Sequence, residues 1–108
     1  MKKFDEAYPL LDEMYGDGYF PDFLVDKIKD LVQNVIGLLE TGEKDLDRIQ
    51  DALDEMTSGI NELQDEFAEN DSEIETVARE SIAQTVDYIL KWFDMEIDLE
   101  DAIGARDW

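Results

Sequence analysis

The chain has 108 residues, 30 of them Asp or Glu and nine Lys or Arg, for a net charge of −21. It has room for one domain, and with so few bases it is a poor partner for nucleic acid or an anionic membrane, which bind proteins through clustered Lys and Arg. The absence of Cys and His removes thiol nucleophiles, imidazole bases, disulfides and the usual zinc ligands together, so neither an enzyme nor a bound cofactor is expected.

At the N-terminus, Lys2 and Lys3 run straight into Phe4-Asp5-Glu6. With no apolar run to act as a signal or a span, a cytoplasmic location is expected. Phe4, Tyr8, Leu11 and Tyr15 recur at helical spacing and predict a short first helix from about Glu6 to Tyr15, with Pro9 tolerated in its first turn. Gly16-Asp17-Gly18 ends it, and Tyr19-Phe20-Pro21-Asp22 forces an extended entry into the next element. Tyr15, Tyr19, Phe20 and Phe23 are expected to plug one end of a bundle, a small ligand pocket being the competing use of the same rings. A second helix is predicted from Pro21 or Asp22 to Leu39, buried along Leu24, Ile28, Leu31, Val32, Val35, Leu38 and Leu39, and stopped by Thr41-Gly42.

The third helix carries the strongest pattern in the chain. Leu46, Ile49, Leu53, Met56, Ile60, Leu63 and Phe67 follow one another at alternating intervals of three and four, which makes a single narrow apolar seam behind an Asp45 cap. At about 100° per residue, Asp47, Asp51, Asp54, Glu55, Glu62, Asp65, Glu66 and Glu69 centre on the opposite side. Residues 45–71 hold ten acids and one Arg, a net −9, whereas residues 72–93 hold four acids and two bases. Thr57-Ser58-Gly59 are weak helix formers, but the seam crosses them in phase, so one helix is predicted, with a bend allowed there.

Glu69-Asn70-Asp71 closes the third helix. Asp71 or Ser72 is expected to cap the fourth, since Ser72 with Glu75 has capping-box spacing. That helix is predicted to reach Phe93, with Ser81 and Thr85 near the centre of its apolar stripe, buried and bonded back to the preceding turn so that a neighbour can approach. A short fifth helix follows with Asp98 as cap and Gly104 as stop, and the Arg106-Asp107-Trp108 tail is expected to pin the chain end to the bundle. The predicted class is therefore all-α: residues 1–108 as a single-domain helical bundle of four main helices with a short fifth C-terminal helix.

Met14-Tyr15, Asp17, Tyr19-Phe20-Pro21-Asp22 and Leu24-Val25-Asp26-Lys27, together with Ser72-Glu73-Ile74-Glu75, Ala78-Arg79-Glu80 and Arg106-Asp107-Trp108, resemble a family of small acidic bacterial proteins carrying a domain of unknown function. The resemblance implies a bacterial, intracellular, stand-alone protein and assigns no functional residue.

Two uses of the acidic face compete. In the first, the face docks a cationic protein partner, as in a toxin-neutralising immunity protein or another inhibitor, because complementary potentials speed encounter and select partners. In the second, the chain is a metal-dependent all-α nucleotide hydrolase that holds Mg²⁺ on carboxylates spaced i, i+3 or i+4, such as Glu62 with Asp65 or Glu66, and Glu66 with Glu69. The dry stripes of the second and fourth helices offer no inward carboxylates to complete such a site, so the binding module is the expected function and no metal is expected. A structural or regulatory role with no readable site is the remaining alternative, and a solvated face that keeps the protein soluble is the plainest account of the charge.

Overall fold

The computed structural model describes residues 2–108 and contains five helices in the expected order. α2 (Asp22–Glu40) and α3 (Leu46–Glu69) form an antiparallel hairpin around Thr41–Asp45. Lys27 meets Glu66 and Leu31 lies over Gly59, which fixes the register of the pair. The seam of α3 faces inward as its spacing requires. Ile49, Leu53, Met56, Ile60 and Phe67 are all at most 2% exposed, whereas Leu46, in the first turn, is 49% exposed. Replacing Leu53 by Ala would cost about 2–5 kcal/mol through lost burial and the cavity left behind.

α3 is continuous across Thr57-Ser58-Gly59, and each weak helix former but Ser58 has a packing role there. Thr57 is fully buried and its Oγ1 donates to the Leu53 carbonyl at 2.7 Å, which satisfies the hydroxyl inside the helix. A Cβ on Gly59 would stand 2.9 Å from both Leu31 methyls, so the glycine lets α2 approach closely.

α4 (Thr76–Trp92) packs against α1 (Asp12–Gly16) and α5 (Leu99–Ala102); α1 also touches α2, and α5 touches α3, so these three helices lie as a second layer on the hairpin. One hydrophobic cluster joins the layers. No helix among the described residues is long and apolar enough to cross a membrane.

α1 is shorter than the Glu6–Tyr15 helix that periodicity predicts. Asp5 Oδ1 accepts the Ala7 N–H at 2.9 Å in a local turn, and Leu11, fully buried, sits at φ 58° in the left-handed region. A helix cannot pass through a left-handed residue, so it begins after it. Pro9 thus lies outside the helix altogether.

The start of α4 also differs from the reading of Ser72 or Asp71 as its cap. Asp71, at φ 56°, instead terminates α3: its N–H donates to the Ala68 carbonyl and the Ser72 N–H to Phe67, the paired bonds of a Schellman closure. That turn buries Ser72, whose Oγ has no partner among the described residues, and the extended stretch after it delays α4 until Glu75 accepts the Val77 N–H at 3.3 Å. α4 ends the same way, with Asp94 at φ 57° and Met95 N–H donating to Leu90. Gly42, at φ 89°, closes α2 as expected.

Candidate functional site

The surroundings of α3 divide its eight acids into two groups. On one flank, α5 and the C-terminal tail are held by amide side chains: Gln50 Nε2 donates to Asp101 O and Asn61 Nδ2 to Ala105 O, each at 2.9 Å, while Asn61 Oδ1 accepts the Asp107 N–H at 2.8 Å. Asp54 belongs to this contact, since Gln50 Nε2 also reaches its Oδ1 at 2.9 Å. On the other flank, Glu66 pairs with Lys27 of α2 at 2.6 Å. Asp54 and Glu66 are half-buried and already engaged, which removes them from the free anionic face predicted for them.

Asp47, Asp51, Glu55, Glu62, Asp65 and Glu69 remain exposed. None of these six carboxylates has an ion-pair partner among the described residues. They form a ridge along the helix, with like charges one turn apart at Asp47 and Asp51, Asp51 and Glu55, Glu62 and Asp65, and Asp65 and Glu69. Among the described residues no group of three or more carboxylates converges as metal ligands do; Glu62 with Asp65 or Glu66, and Glu66 with Glu69, gain no further ligand from a facing helix.

Beside the ridge runs a furrow between α2 and α3 of about 480 Å³, with Leu31, Val35, Leu38, Ala52 and Met56 in its walls and Glu55 on its rim. Leu31 and Leu38 are half-buried, so this side of the hairpin is apolar where it meets the acids. The periodic reading of α2 assigns both leucines to the core; α2 carries a wider apolar stripe than α3 and α1, the helices packed against it, cover.

The aromatic turn divides as well. Phe20 is 2% exposed and plugs the core, but Tyr19 and Phe23 are 44% and 48% exposed, and among the described cavities these rings line none. The extended entry at Pro21 points Phe20 inward and leaves its neighbours outward. Tyr15 is half-buried with its hydroxyl donating to Asp26 Oδ1; burial, then that carboxylate, push its pKa well above the ordinary phenol value.

The main aromatic cluster lies elsewhere and escaped sequence reasoning. Tyr8 stacks on Tyr88 at 3.9 Å, and Phe4 meets Tyr8, Tyr88, Trp92 and Phe93 with centroids about 6 Å apart. Trp92 Nε1 donates to Lys3 O at 2.8 Å, and Lys2 Nζ donates to Trp92 O. The signal was the pairing of Tyr88 and Trp92 one turn apart on α4 with Phe4 and Tyr8 one turn apart at the start of the chain. Ser81 and Thr85 are both 2% exposed, as their position in the α4 stripe predicts. Ser81 does not bond back along α4, however: its Oγ donates to Glu13 Oε2 of α1 at 3.0 Å. The Trp108 ring packs on the core and pins the tail, as expected.

Comparison with curated proteins and with solved structures returns no match. The sequence pattern of a family of unknown function, DUF5713, matches residues 4–108, from the first ring of the aromatic cluster to the tryptophan that pins the tail, and the protein belongs to that family.

Proposed function

We propose that the protein is a bacterial, cytoplasmic binding module of the immunity or inhibitor kind, whose α3 ridge docks a cationic protein. The observation that carries this reading is the set of six exposed carboxylates without ion-pair partners among the described residues. A fold that leaves so many like charges in line accepts their mutual repulsion, and a basic partner would relieve it while gaining a steered encounter. The furrow beside Glu55 supports the same reading, since charge speeds association but apolar burial supplies most of the residence time.

The test is affinity purification from the native host at low salt, read by mass spectrometry, with two baits: the natural chain and a variant with Asp47, Asp51 and Asp65 changed to Asn and Glu55, Glu62 and Glu69 changed to Gln. The expected result is a basic protein retained by the first bait and lost from the second. A partner held equally by both would place the interface elsewhere.

A further inference from the structure

We propose that the cleft between the N-terminal segment and α2 binds a small organic amine, a protonated nitrogen carried on an aromatic or alkyl body. The cleft has a volume of about 500 Å³, within the range of roughly 300–1,000 Å³ that small-molecule sites occupy. It lies apart from the α3 ridge and rests on separate residues. Phe4, Tyr8, Leu10 and Ile36 supply its apolar surface.

Its charge selects a cation. Asp5, Glu6 and Glu40 line it against the single base Lys29, a net −2 from these side chains. The Lys29 ammonium stands 6.0 Å from the centroid of the Tyr15 ring, a residue that is not part of the lining. Glu40 Oε2 accepts the Phe4 N–H at 2.9 Å, while its Oε1 has no donor among the described residues. An ammonium group placed there gains a carboxylate and the electron-rich faces of nearby rings, both of which favour cations. An anion of the same shape meets net repulsion.

The walls are built before any ligand arrives. Glu40 ties the segment to α2, the Tyr88 hydroxyl donates to Asp5 Oδ2 at 2.6 Å, and Tyr8 is stacked on Tyr88. The segment is therefore held on α2 and α4 at once, and a ligand would not have to order it.

The experiment is an NMR titration of the ¹⁵N-labelled chain at pH 7 with phenethylamine, and with two controls: phenylacetate, which has the same body and the opposite charge, and ethylamine, which has the charge without the ring. Phenethylamine should give saturating shifts confined to residues 4–10 and 29–40, with each control weaker by about tenfold or more. Glu40→Gln keeps an acceptor for the Phe4 N–H but loses the charge, and should weaken binding about fivefold or more. Gln33→Trp, at an exposed helical position on the rim, should fill the cleft and abolish the shifts while leaving the rest of the spectrum in place. Phenylacetate binding as well as the amine, or amine shifts that follow the α3 ridge and vanish in the ridge-neutralised variant, would overturn the proposal.

Discussion

The carboxylates at the N-terminal end and those on the α3 ridge are the same chemical groups in opposite situations. Asp5 accepts from Tyr88 and Ala7, Glu13 from Ser81, Asp26 from Tyr15 and Glu40 from Phe4. Hydroxyls and backbone N–H groups hold these acids in place, and no cation among the described residues pairs with them. In a chain with nine bases for thirty acids, neutral donors are the larger supply, and a hydrogen bond to a charged acceptor is stronger than one between neutral groups. Among the described residues no such donor reaches the ridge acids. The difference teaches that total charge says little about how any one acid contributes, and that the sign of a substitution follows the donors around it.

The largest expected effect breaks the N-terminal side of that comparison. Ser81→Leu removes the donor to Glu13 and forces extra volume between α1 and α4, at a cost of about 1–3 kcal/mol in a thermal melt. An unchanged midpoint would mean that α1 yields freely and contributes little. Neutralising the six ridge acids should move stability the other way. Four like-charge pairs one turn apart, each worth about 0.2–0.5 kcal/mol, predict a gain of roughly 1–2 kcal/mol at low salt. The screening length at 0.15 M is about 8 Å, so added salt should raise the melting temperature of the natural chain more than that of the variant. A variant that melts lower at every salt concentration would show that the ridge acids make stabilising contacts.

Asp71 is a third case, a carboxylate in a left-handed backbone position at the C-terminal end of α3, where the helix dipole disfavours negative charge. Asp71→Gly relieves both penalties and should stabilise by about 0.5–1 kcal/mol in chemical denaturation. The smallest effect at neutral pH is that of Tyr15→Phe, about 0.5 kcal/mol from one lost hydrogen bond. Its signature lies in the alkaline range. The Tyr15 pKa is raised on folding, so its stabilisation is whole below the unfolded value of about 10 and is lost as pH rises toward the folded value. Tyr88 is shifted the same way, by its hydrogen bond to Asp5 first and burial second. Urea midpoints measured between pH 9 and 11 should fall for the natural chain and fall less for Tyr15→Phe, and least for the double Tyr15→Phe, Tyr88→Phe variant.

For the buried face of α3 beyond its first turn, local sequence was a sufficient guide. Ile49, Leu53, Met56, Ile60 and Phe67 take their burial from periodicity alone, and Asp45 caps the helix at Asp47 N, 3.0 Å away, because cap chemistry is local. The same holds for Gly42 after α2 and Asp98 before α5. All-α class, the order of the helices and the existence of an anionic ridge were therefore set by spacing and composition. Tertiary structure decided what periodicity does not encode. Whether Phe4 and Tyr8 belong to a helix or to an arm depended on Tyr88 and Trp92, some 80 residues away, and on a buried Leu11 held in a conformation its own preference opposes. Whether Ser72 caps a helix depended on how the preceding helix closed over it. Which of eight similar acids stay free depended on where α2 and the tail came to lie against α3, because a carboxylate's environment is assembled from other parts of the chain and leaves no trace in its own neighbours.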